Sequence, residues 1–254
     1  MKKLITITLI FSTISIASFA RKVGETEITT EEGIEVFQNE KYYLLKKNVN
    51  IQSDRFKIKA NLVKAYFDKD LYDIIKIESE DNVRLRSSKG IIANGEKINF
   101  SIKNEDIEVY GERSSLIYNS INMFSNEKIR VNNLTGEFNL EGNESELKTS
   151  TIQIFGSIIN GEFITINEIN EVQNLYVEDS NQVNIITDNI NMFALRAKYN
   201  KKENVIELFE NVKVIRGNET IIGDYANINT LTESYKVISN DKKKVKAIII
   251  NDNE

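Results

Sequence analysis

An Asn-Val step that opens a run of alternating apolar and polar residues recurs along this chain. It reads Asn48-Val49-Asn50-Ile51, then Asn82-Val83-Arg84-Leu85, then Asn211-Val212-Lys213-Val214. A second phrase, Asn94-Gly95-Glu96-Lys97-Ile98-Asn99-Phe100, returns as Asn160-Gly161-Glu162-Phe163-Ile164-Thr165-Ile166. A third, Ile121-Asn122-Met123-Phe124, returns as Ile190-Asn191-Met192-Phe193. The offsets fit a unit of about 33 residues or its double, and self-similarity at a fixed period marks an array whose units bury one another's faces. A unit of that length holds two strands and two turns. Stacked units share one long apolar interior, which serves either as a core or as a conduit.

The alternation assigns faces. Phe56, Ile58 and Ala60 share one side, and Val83 and Leu85 lie opposite Arg84 and Arg86. The same scheme runs through 98–102, 107–109, 121–123, 183–185, 190–192, 212–214 and 235–237. Period 2 with polar residues outward marks strands with one buried and one wet face. Turn clusters separate them, at Asp68-Lys69-Asp70, Ser87-Ser88-Lys89-Gly90, Lys103-Asn104-Glu105-Asp106, 200–204 and 216–219. No window of a dozen residues carries a helical stripe. The chain therefore reads as all-β and mostly antiparallel. Two packings suit it: facing sheets, as in a sandwich or jelly roll, or a one-stack β-solenoid. The doubled hairpin period favours facing sheets. The expected inward set is Val49, Ile51, Ile58, Val83, Leu85, Ile98, Phe100, Ile102, Val109, Ile121, Met123, Ile185, Met192, Val212 and Val214. Each would serve equally in a plain core or in the wall of a groove.

Composition narrows the chemistry. The 254 residues include no His, Cys, Trp or Pro. That removes Ser-His-Asp and Cys-His nucleophile systems and zinc sites built on His or Cys. Carboxylates cluster at Glu78-Ser79-Glu80-Asp81 and at Glu203, where turns and solvated charge are expected, so neither catalysis nor a metal or cofactor is expected. With 33 basic against 38 acidic residues and the lysines scattered, nucleic acid is not expected as a partner. The three Asn-x-Ser/Thr sites, at Asn133, Asn143 and Asn218, are expected by chance in an Asn-rich chain.

The first residues suggest export. Met1-Lys2-Lys3 precedes an uncharged stretch from Leu4 to Ala20, and Ser18-Phe19-Ala20 fits a small-x-small cleavage site. The stretch is spotted with Ser and Thr and falls short of the about 20 apolar residues of a spanning helix. Residues 1–20 are expected to be a cleaved signal peptide and 21–254 a single domain, periplasmic and free of disulfides. At the other end a basic run from Lys242 to Lys246 leads into Ala247-Ile248-Ile249-Ile250. That is either a last strand protected by lysines or an edge kept open for strand addition.

These residues resemble the LptA family of periplasmic, OstA-like lipopolysaccharide-transport proteins. The resemblance rests on Gly33-Ile34-Glu35, Glu40-Lys41-Tyr42-Tyr43, Asn48-Val49, 56–62, Ala65-Tyr66-Phe67, Asp81-Asn82-Val83 and Gly95-Glu96-Lys97. At the far end it rests on Gly223-Asp224-Tyr225-Ala226, Thr232 and 239–245. The stretch from about Ser114 to Ser180 matches only through the internal repeat and is expected as an inserted pair of hairpin units. The resemblance implies an elongated antiparallel β-jelly roll, V-shaped and open at both ends. It implies a bridge that holds the acyl chains of lipopolysaccharide (lipid A) in its interior, between LptC-like and LptD-like transport proteins. It also implies head-to-tail self-association through edge strands, with Ile34 and Val36 at one end and Val245, Ala247 and Ile249 at the other. Two alternatives stand beside it: an LptC-like paralogue behind a retained membrane anchor, and a structural β-solenoid that binds no lipid.

Overall fold

The computed structural model describes residues 21–69, 73–167, 169–240 and 244–250. The proposed signal peptide, Asp70 and the lysines Lys242 and Lys243 lie outside them. Within the described residues the secondary structure is all strand: β1 (Glu27–Thr29), β2 (Ile34–Phe37), β3 (Tyr42–Gln52), β4 (Phe56–Phe67), β5 (Ile74–Ser87), β6 (Ile91–Ser101), β7 (Asp106–Tyr110), β8 (Ser114–Tyr118), β9 (Ile121–Ser125), β10 (Lys128–Asn132), β11 (Glu137–Lys148), β12 (Gln153–Ile166), β13 (Ile169–Ile186), β14 (Asn191–Asn200), β15 (Val205–Arg216), β16 (Glu219–Asn229), β17 (Ser234–Ile238) and β18 (Lys246–Ile249). Every pairing is antiparallel, and β3 to β6 and β11 to β16 pair in chain order as a meander.

The long strands are each broken at mid-length, and three of the breaks fall at the Asn-Val steps. The register shifts between Lys46 and Val49 in β3, Glu80 and Val83 in β5, and Phe209 and Val212 in β15. Each shift is made by two consecutive left-handed residues: Lys47 and Asn48, Asp81 and Asn82, Glu210 and Asn211. Asn visits that region at lower cost than most side chains, because its short amide bonds locally. The step therefore marks a bend inside a strand. Close backbone approach makes the matching bends at glycine: a Cβ on Gly95 would meet Val109 Cγ1 at 2.6 Å and the Tyr110 carbonyl at 2.9 Å. Gly156 and Gly223 face the same pairing, Val177 with Glu178 and Val237 with Ile238. Gly95 thus corresponds to Gly156, not to Gly161 as the repeated phrase suggests. Gly161 lies against Phe138 and Leu175 in unbroken ladder.

Because every long strand bends, its two halves belong to two rows. Row I contains β2, β7, β10, β17 and one half of each long strand, among them residues 42–46 of β3 and 225–229 of β16. Row II contains β1, β8, β9, β18 and the other halves, among them 49–52 and 219–222. A strand leaves a row I hairpin tip at Tyr42, Ile74, Asp106, Glu137, Ile169 and Val205, close to the period read from sequence. The inner faces of the rows meet. Phe56 of row II packs edge-on against Phe100 of row I at 5.5 Å, and Tyr118 against Phe163 at 5.2 Å. One cluster of buried aliphatic side chains runs from Leu45 to Ile228 between them. Each such side chain contributes roughly 1.5–3 kcal/mol by leaving water. The result is a jelly roll folded along its bends, with hairpin tips along the opposite seam.

One expectation is corrected. Glu78-Ser79-Glu80-Asp81 is not a turn but the end of the first half of β5 and its bend. Ser79 is fully buried, while Glu78 and Glu80 point outward to Lys76 and Lys97.

Candidate functional site

The interior is the candidate site. Every residue of the sequence-derived inward set is buried there, from Val49 and Ile51 near one end to Val212 and Val214 near the other. Phe100 and Ile102 are the most exposed of them, at 7%, because they lie under the seam. Alternation places these side chains inward from both rows, so the interior is chiefly apolar, built of aliphatic groups with Phe and Tyr rings, and is interrupted only by the buried Ser79, Ser114, Ser125, Ser145 and Asn170 among the described residues.

The seam is closed by polar contacts between hairpin tips of opposite rows. In the middle, Lys89 of row II reaches Glu105 of row I at 2.7 Å. Asn133 donates to Glu105 and accepts from the Tyr118 hydroxyl. Burial raises the Glu105 carboxyl, but donation from Lys89 and Asn133 outweighs it and holds the group below its ordinary value. Next along the seam, the Ser120 hydroxyl donates to the Asn170 carbonyl at 3.1 Å. At the far end Glu233 accepts from Asn189 at 2.7 Å and pairs with Arg216 at 3.2 Å. There Tyr235 also reaches across the rows to Glu219, and burial together with that bond pushes its hydroxyl up to about 12.

Between these latches the seam is incomplete. A gap of about 320 Å³ opens over Ile152, Ile190, Met192, Tyr199, Ile206 and Ile228. A smaller one, about 70 Å³, opens over Ile91, Phe100, Ile102 and Ile107 beside the Lys89–Glu105 pair. A third hollow of about 520 Å³ borders on row I and is lined by Asn160, Glu162, Asn174 and Lys198 together with Leu175 and Tyr199. The two seam gaps lead to the apolar interior.

Both ends of the molecule expose inner-face apolar groups. At one end β2 covers row I and β1 covers row II, and Ile34 and Val36 of β2 stand opposite Leu45 and Tyr43. They are 48% and 45% exposed. At the other end β17 and β18 cover the two rows. Ala247 lies opposite Ile221 on the inner side, Ile249 is 67% exposed, and Val245 is exposed just ahead of β18. Among the described residues no further strand pairs with the outer edges of β1, β2, β17 or β18.

No protein-family model and no curated protein matches the chain. Among solved structures it is similar to the crystal structure of LptH, described as the LptA homologous periplasmic component of the conserved lipopolysaccharide transport device from Pseudomonas aeruginosa. The likeness has a TM-score of 0.44 and 10% identity, over 52% of this chain and 96% of that chain.

Sequence reasoning missed the latch residues and two of the four end strands. Lys89 and Glu105 lie in turn clusters that read only as solvated loops, and Asn133 stood out only as a chance Asn-x-Ser/Thr site. The alternation of Tyr235-Lys236-Val237 showed a strand, but nothing local shows that it ends a row. Ile28 in β1 gave no signal, since three residues are too few for a period.

Proposed function

We propose that this protein is a periplasmic carrier that holds the hydrocarbon chains of lipopolysaccharide in its interior and passes them along its length between the two membranes. The observation that carries this reading is the geometry of the interior: a chiefly apolar core that runs from Leu45 to Ile228 with few buried polar groups, and apolar groups exposed at both ends. The sequence resemblance to the LptA family points the same way. LptC-like and LptD-like proteins would then meet the two ends, and copies of the chain would stack head to tail through the exposed edge strands.

Entry requires the rows to part, since the interior is packed shut. The hinge is the line of mid-strand bends, and the seam is held chiefly by hydrogen bonds and ion pairs, which exchange with water at small net cost. Each CH₂ taken from water is worth about 0.8 kcal/mol, so a chain of about twelve carbons offers roughly 10 kcal/mol to offset the opening. A repetitive wall offers similar binding at each step, which favours movement along it. The polar headgroup stays at the seam, where the tips carry Asn, Thr, Lys and Glu.

The test is photo-crosslinking in cells with a reactive residue at Phe100 or Met192 and outward controls at Asn99 and Asn191. Lipopolysaccharide adducts at the inward positions alone are expected. Folded protein giving no adduct, or equal adducts at inward and outward positions, would overturn the reading.

A further inference from the structure

The centre of the chain departs from the meander. Four half-length strands occur in succession, and they pair across a joint: β7 with β10 in row I and β8 with β9 in row II. The order is the one found at the ends. β7 then β8 passes from row I to row II, as β17 then β18 does; β9 then β10 passes from row II to row I, as β1 then β2 does. The strand directions agree as well. β7 lies on β6 as β17 lies on β16, and the bend glycines of those neighbours, Gly95 and Gly223, meet the equivalent residues Val109 and Val237.

We infer that the central joint is a covalent copy of the joint between successive chains, so that one chain is two stacked units and its own register dictates how the next chain docks. This rests on the head-to-tail reading given above. In it, residues 114–180 are the end of one unit and the beginning of the next.

The register follows from the equivalences. In the central joint Val109 stands opposite Ile129, Glu108 opposite Arg130, and Ile107 opposite Val131. Val237, Lys236 and Tyr235 occupy the first set of places at the C-terminal end, and Ile34, Glu35 and Val36 the second set at the N-terminal end. The docked pairs are therefore Val237 with Ile34, Lys236 with Glu35, and Tyr235 with Val36. The inward pairs are apolar in both joints, and burying them would cover the half-exposed Ile34 and Val36 as Ile129 and Val131 are fully covered. The outward pair has opposite charges in both joints with the signs exchanged. In row II, Leu116 opposite Met123 becomes Ala247 opposite Ile28. Pairing of like ends centred on the same positions would instead set Lys236 against Lys236 or Glu35 against Glu35, which is unfavourable.

The chain has no native cysteine, so engineered ones report alone. Directly opposite residues of an antiparallel pair bring their Cα atoms to about 5 Å, within disulfide range. Purified Lys236→Cys protein mixed with Glu35→Cys protein is expected to crosslink at least 10-fold faster than Lys236→Cys mixed with Phe37→Cys. In sedimentation, Lys236→Glu should weaken association about 10-fold, and Lys236→Glu/Glu35→Lys should restore it. Preferential crosslinking to Phe37→Cys, crosslinking of either variant to itself, a monomer at all concentrations, or no rescue by the double reversal would overturn the inference. Uptake of fluorescent lipid A by the same samples separates the two claims. A monomer that takes up lipid A removes the joint and leaves the carrier; a correctly registered dimer that takes up none keeps the joint and removes the carrier.

Discussion

Asn48, Asn82 and Asn211 each hold the second of two left-handed positions at a strand bend. A β-branched side chain in that conformation is strained by roughly 1–2 kcal/mol, whereas Gly adopts it freely. Asn82→Val should therefore lower the urea midpoint by an amount equivalent to about 1–2 kcal/mol, and Asn82→Gly should leave it nearly unchanged; equal losses would mean that the amide itself holds the bend. Gly223 makes the opposite demand, for space. A Cβ there would stand 2.7 Å from the Ile238 carbonyl, and backbone cannot rotate away, so Gly223→Ala should cost about 1–3 kcal/mol. A neutral Gly223→Ala in the same titration would show that β17 is free to shift. The Asn steps were legible in sequence because left-handed geometry selects residue type. Their meaning was not, because a bend inside a strand leaves the alternation on both sides intact. For the same reason Gly95 looked equivalent to Gly161: only the facing strand, remote in sequence, shows that Gly156 is its counterpart.

Hairpin tips do for the seam what bends do for the spine. The turn from Ser101 to Asp106 carries Glu105, which receives Lys89 and Asn133 from other tips. The Glu105 pKa is lowered in the folded chain from the ordinary value of 4.5, with burial opposing and the donors prevailing. A carboxyl depressed on folding contributes stability that is complete above its unfolded pKa and disappears as the pH falls through the depressed value. The seam latch should thus hold at neutral pH and release in acid. Amide hydrogen exchange in the turns flanking the smaller seam gap should accelerate as the pH drops below 4.5, beyond the intrinsic pH effect. Glu105→Gln should show fast exchange already at neutral pH and little further change. Wild-type exchange that tracks the variant at every pH would place the latch elsewhere. The turns themselves were readable from Gly, Asn, Ser and Lys clusters, and the all-β fold from period 2. What the tips touch was not, since Lys89 and Glu105 meet across a fold whose rows are related only by the bends.

At the scale of the molecule, the alternation and the repeat give mostly antiparallel strands and favour two facing rows over a one-stack solenoid, but do not show where the rows are interrupted. The strands β7 to β10 look in sequence like any short strands, and only their pairing distinguishes a joint from a meander. The same blindness applies to the ends, where β18 has the apolar composition of a core strand yet every residue of it is exposed. It meets β16 over only four register pairs, from Glu219 to Ile222, so folding gains little from it. Its composition makes better sense if the missing burial is supplied by the next chain, because an apolar edge strand left uncovered invites indiscriminate pairing. Removing residues 245–254 should then separate the two roles. The truncated chain should have a stability to urea within about 1 kcal/mol of the full chain's, and it should sediment as a monomer at concentrations where the proposed head-to-tail joint would extend the full chain into rods. A large loss of stability would make β18 part of the fold of its own chain, and rods formed without it would leave β17 alone to hold the joint.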